Sequence, residues 1–141
     1  MRWTLSDGET AAAALMYFNG FHDAVVRRML VDWHPTALNP EELPSTVGVE
    51  LVLSHTNYSA NIKGARCLSR LHFDDVVAMN FDLADFKVCD WALSQIDIRT
   101  AQSRLQVDLV WRVLRSEAWS TRKGMSFQCR SGMIEEVSET I

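Results

Sequence analysis

A chain of 141 residues and 16.0 kDa fits one domain spanning 1–141 and is long enough to bury a substantial core without disulfides. Its 48% hydrophobic and 23% charged residues exclude a disordered or fibrous chain. A net charge of -4, with Lys and Arg scattered, leaves no basic stripe to neutralise a run of phosphates, so no nucleic-acid partner is expected.

No stretch of about 18 apolar residues occurs, and the opening MRWTLSDGET carries acids where a signal peptide needs an apolar run, so no membrane partner is expected. Cys67, Cys89 and Cys129 are odd in number and form no CxxC, which fits a reducing compartment. The expected setting is a bacterial cytoplasm, and Asn57-Tyr58-Ser59 is then a chance sequon.

In chain order, Ser6-Asp7-Gly8-Glu9 reads as a capping box opening a helix. Ala11, Ala14, Leu15 and Phe18 recur at helical spacing, and Asn19-Gly20 supplies the left-handed residue that ends it. From Phe21 to Trp33 the period changes to two, which predicts a long strand, with a bulge or two-sided burial at Val25-Val26. His34 to Ser45 holds all three prolines and reads as a surface loop. Further strands are predicted over Val47–Ser54, Arg66–Phe73 and Val77–Leu83, the last with a short helix as the competing reading, and Asp74-Asp75 suits a turn. Trp91 to Ile98 is ambiguous, with Ile96 and Ile98 favouring a strand, whereas Leu105 to Val113 alternates cleanly. Ser116 to Lys123 reads as a connection, and a last strand starts at Gly124, with a bulge at Gly132 before Met133 to Val137. The expected fold is α+β: a mostly antiparallel β-sheet of about six to seven strands with one N-terminal helix packed on it.

Chemistry is harder to place. His22-Asp23 joins residue types used for metal binding and proton transfer, but on a strand neighbours point to opposite faces, so the two would not form a dyad. Asp23 would then bond backbone or an Arg where helix meets sheet. His72 and Asp74, at i and i+2, share a strand face and could touch one ligand or metal. Metal sites want three or four convergent ligands, and nothing in the sequence brings His34, His55 or Cys67 to them. No GxSxG, P-loop, GxGxxG or HExxH occurs, so no cofactor is expected and no residue is assigned as catalytic. Of five tryptophans, Trp119, in the polar run SEAWSTRK, is the candidate for an exposed binding residue.

Gly20-Phe21-His22-Asp23-Ala24, the VELVLSH strand, the turn Leu71 to Val76 and the closing Met125 to Cys129 together resemble small bacterial β-rich proteins with a GFHDA-type strand, among them immunity proteins of polymorphic toxin systems. The Pro-rich loop from His34 to Ser45 is longer than that pattern. The resemblance implies a sheet with a small helix and a role in binding a partner protein without catalysis. The alternative is a small-ligand- or metal-binding enzyme with a site near His22, Asp23, His72 and Asp74, and a third reading is a homodimer built through an uncovered strand edge.

Overall fold

The computed structural model describes residues 2–35, 45–56, 66–81, 92–115 and 118–137. The segments expected as most of the Pro-rich loop, the polar run after Thr56, Trp91 and the C-terminal tail lie outside these residues. The described elements are β1 (Arg2–Leu5), α1 (Gly8–Tyr17), a 3-10 turn (Asn19–Phe21), β2 (Val25–Pro35), β3 (Ser45–Thr56), β4 (Arg66–Asp74), β5 (Val77–Phe81), β6 (Leu93–Ala101), β7 (Arg104–Arg115), β8 (Ala118–Cys129) and β9 (Ser131–Val137).

The α+β class and the antiparallel pairing are as expected. The strand count and the single sheet are not: among the described residues nine strands form a five-stranded sheet, in the order β1-β9-β4-β3-β2, and a four-stranded sheet, in the order β5-β8-β7-β6. The first sheet contains the β2-β3-β4 meander, and the second the β6-β7-β8 meander. The chain changes sheet between β4 and β5, where Asp75 takes the left-handed conformation (φ 52°), and again at Arg130, whose N–H bonds the Asp74 carbonyl at 3.0 Å.

Alternation explains the core. Val49, Leu51 and Leu53 of β3 face Phe73, Leu71 and Ser69 of β4, and all six are buried. Leu105, Val107, Leu109, Trp111 and Val113 form the matching stripe on β7, and Met125, Phe127 and Cys129 the one on β8. These stripes belong to one apolar cluster, and the Phe73 and Phe127 rings meet edge to face across the sheets at 5.1 Å. Burial pushes the Cys129 thiol up to about 12.

α1 closes this core from one side, with Ala11 and Ala14 fully buried. Its capping box lies one residue later than expected. Asp7 is the N-cap and accepts the Thr10 N–H at 2.8 Å, while Thr10 Oγ1 accepts the Asp7 N–H at 3.1 Å. Gly8 N–H donates to Thr100 Oγ1 at 3.0 Å, and a Cβ at Gly8 would stand 2.4 Å from that oxygen, so only glycine lets the first turn approach β6 this closely.

Three boundaries depart from the sequence reading. Phe21 to Ala24 is not strand, because Asn19, Gly20, Phe21 and Asp23 all take positive φ, and β2 begins only at Val25. Of the connection expected over Ser116 to Lys123, Ala118 to Lys123 instead extends β8 against β7. The bulge falls at Gly124 instead of Gly132: pairing passes from Leu109↔Met125 to Val110↔Lys123, whereas β9 runs through Gly132 in continuous register. The cause is packing, since a Cβ at Gly124 would stand 1.7 Å from Trp111 Nε1, so the buried indole lies directly on the glycine.

Candidate functional site

The first candidate lies where the helix hands over to the sheets. With Asp23 at φ 64°, the chain turns instead of extending, and His22 and Asp23 come to one side, with Nε2 and Oδ2 3.5 Å apart. The expectation that they point apart fails because it rests on strand geometry. Each also has a partner on the second sheet. His22 Nδ1 lies 2.8 Å from the carbonyl oxygen of Ser94, a residue bulged out of the β6–β7 register, so that nitrogen carries the hydrogen. Arg112 of β7 pairs with the Asp23 carboxylate. Backbone completes the junction: Asp23 N–H bonds the Leu93 carbonyl at 3.1 Å, and Leu93 N–H bonds the Ala24 carbonyl at 2.8 Å. Asp23 thus meets an Arg where helix joins sheet, one of the two roles its sequence position suggests.

His72 and Asp74 share a face of β4, as i and i+2 spacing requires, with Nε2 and Oδ1 2.9 Å apart. That face is the outer one, since its neighbour Glu50 stands opposite His72 and pairs with Arg70 at 3.3 Å. The two His–Asp pairs do not share a pocket wall. Val25, just past the first pair, is in register with Ser54, whereas His72 faces Glu50, four residues and about 13 Å further along β3. Among the described residues no group of three or more His, Cys, Asp and Glu side chains could hold a metal ion.

A third constellation escapes the sequence reading. The β3–β4 register sets His55 against Cys67, and Cys67 Sγ stands 3.5 Å from both ring nitrogens of the buried His55. Thr56 O lies 3.1 Å from His55 Nδ1 and Ser69 Oγ 2.7 Å from Nε2, so the neutral ring donates through Nδ1 and accepts the serine hydroxyl at Nε2. Phe18 and Phe21 present their rings edge-on at 5.7 and 5.3 Å. Burial holds His55 below the usual histidine range and, with the Glu136 charge, pushes the Cys67 thiol up. A cysteine nucleophile needs the opposite, a thiolate beside a basic imidazole, so the arrangement serves to anchor the helix end on β3. Two residues twelve apart could be linked from sequence only by fixing the hairpin register.

Asp108 is likewise structural. Burial would raise its pKa, but hydrogen bonds from Arg99 at 2.5 Å and Gln106 at 3.1 Å, with the charges of Arg99 and Lys123, hold it below the usual carboxylate range.

The remaining candidates are surfaces. β2 and β5 are edge strands of their sheets, and both carry exposed apolar side chains: Val31 (47%) and Trp33 (63%) on β2, Val77 (39%) and Phe81 (40%) on β5. Trp33 and Val31 are the cross-strand neighbours of Val47 and Val49, on the face that is buried elsewhere, yet both are exposed. Trp119 lies within β8 opposite Leu114, in strand instead of polar loop; its side chain is outside the described residues. A shallow cleft of about 270 Å³ lined by Val113, Ser120, Thr121 and Arg122 opens beside it on the β7–β8 hairpin. No described helix is long and apolar enough to cross a membrane. Comparison with family models, curated proteins and solved structures gave no match.

Proposed function

We propose that this chain is a non-catalytic protein-binding domain, similar in role to the immunity proteins of polymorphic toxin systems, which holds a partner protein against a sheet edge. One observation carries the reading: large apolar side chains stand in water on edge strands, Val77 and Phe81 on β5 and Val31 and Trp33 on β2. An uncovered edge offers backbone donors and acceptors in a row, and apolar side chains beside it turn that row into a recognition surface. The net charge of -4 would favour encounter with a basic partner. The groups best suited to chemistry are meanwhile engaged in the fold, His22 and Asp23 on β6 and β7 and His55 beneath the helix end.

The test is capture of a partner by the tagged protein from its own source, read by mass spectrometry, with bound metal assayed on the same sample. The reading expects one stoichiometric protein partner, lost in a folded Phe81→Lys variant. Stoichiometric metal or ligand-dependent stabilisation lost on His22→Ala or His72→Ala would replace it with the enzyme reading.

A further inference from the structure

We propose that the edge of β2 pairs with the same strand of a second copy, antiparallel about a two-fold axis at Leu30, joining the two five-stranded sheets into one. The inference goes beyond the partner-binding reading, to which it leaves the β5 edge.

The edge itself motivates it. From Arg28 to Pro35, β2 pairs in unbroken register with β3 on one side, and among the described residues no strand pairs with its other side beyond the single bridge Val25↔Ala92. The irregularity at Arg27, between Val26 and Arg28, guards only the start of the edge. The stretch beyond it has no further bulge against β3 and carries the exposed Val31 and Trp33.

Symmetry and charge then select the register. A two-fold axis normal to the sheet keeps inner-facing residues opposite inner-facing ones, so the numbers of facing residues must sum to an even value. Met29, Val31 and Trp33 face inward with Leu51, Val49 and Val47, while Arg28, Leu30 and Asp32 lie on the outer face. With the axis at Leu30, Arg28 faces Asp32 of the second copy twice over, and Met29 faces Val31. With the axis at Met29, Arg28 faces Leu30 instead. With the axis at Val31, Asp32 faces Leu30. Only the Leu30 register pairs both charges, and neither Arg28 nor Asp32 has an ion pair among the described residues. Opposite charges placed directly across a strand pair favour that pairing, and the same register brings Met29 onto the exposed Val31 of the second copy.

Purified full-length chain, alone, tests this by light scattering and sedimentation across micromolar to millimolar concentrations. The wild type should dimerise, Asp32→Arg should weaken dimerisation about tenfold or more by setting Arg against Arg, and Arg28→Asp combined with Asp32→Arg should restore it. Leu30→Cys supplies a check independent of charge. Facing residues of an antiparallel pair lie about 4.5–5.5 Å apart at Cα, within disulfide range, so this variant should cross-link on mild oxidation. Asp32→Cys should not, because its copies would stand about 13 Å apart. A wild type that stays monomeric at every concentration, an Asp32→Arg variant that dimerises as well as wild type, failure of the double variant to recover, or cross-linking at 32 in place of 30 would overturn the proposal. Should Asp32→Arg fail to fold, the cysteine pair decides. None of these measurements involves a foreign partner, so failure here leaves the partner-binding reading standing.

Discussion

Gly20 and His55 are the residues whose chemistry makes the sharpest claims on stability. Gly20 sits at φ 65°, and a Cβ there would meet nothing nearer than Gln95 Cβ at 3.9 Å, so only the backbone resists a side chain. Gly20→Ala should cost about 1 kcal/mol, measured by denaturant unfolding, with no change in the native spectrum. His55 makes stability depend on pH. Its folded pKa is depressed below the ordinary 6.5, chiefly by burial, so the unfolded chain takes up a proton before the folded one does. The stability tied to His55 is therefore full above about pH 6.5 and declines as pH falls from there toward the folded value. Melting temperature should drop between pH 7 and pH 5, and a folded His55→Gln variant, lower in stability throughout, should show a flatter profile in that window.

At the scale of elements, the seat of α1 on β6 is a sterically matched pair. Alanine is the better helix former, yet Gly8→Ala should destabilise, because its methyl would strike Thr100 Oγ1. Combining it with Thr100→Ala removes the obstruction, so the double variant should lose less than the sum of the singles, a coupling of roughly 1 kcal/mol in a double-mutant cycle. Elements with a buried face are legible in the amino-acid sequence. Val49, Leu51 and Leu53, or Leu105 to Val113, alternate because one face is in the core, and the alternation is visible locally. Asp74-Asp75 announces its turn for the same local reason. β1 escapes such a reading because four residues with only Leu5 fully buried leave too short a pattern. The extension of β8 back to Ala118 is hidden because Ser120 to Lys123 carry no apolar stripe to mark the strand. The His22–Asp23 geometry is invisible to alternation, which ends at Val25 and gives way to a turn made of left-handed residues. The His55–Cys67 pair depends on register, a property of two strands together that neither shows alone.

For the whole molecule, the single apolar cluster shared by both sheets and the helix means that neither sheet can stand without the other. Phe73→Ala, which empties the position against Phe127, should cost about 3–5 kcal/mol and lower the melting of the two sheets together, as one transition in calorimetry and as a joint loss of amide protection in β3 and β7. The β2 and β5 edges, which carry exposed apolar side chains, divide the surface in the same global way, since they end different sheets and can be occupied independently. The tryptophans make that division visible in light. Trp111 is wholly buried and will emit toward the blue, shielded from acrylamide, whereas Trp33, 63% exposed, will emit toward the red and be quenched. Trp33→Phe should remove the Trp33 share of the quenchable emission and leave the Trp111 emission in place, so the wild-type-minus-variant difference spectrum is an optical gauge of the β2 edge. A blue shift of that difference spectrum with rising protein concentration would be the fluorescence signature of an edge being covered.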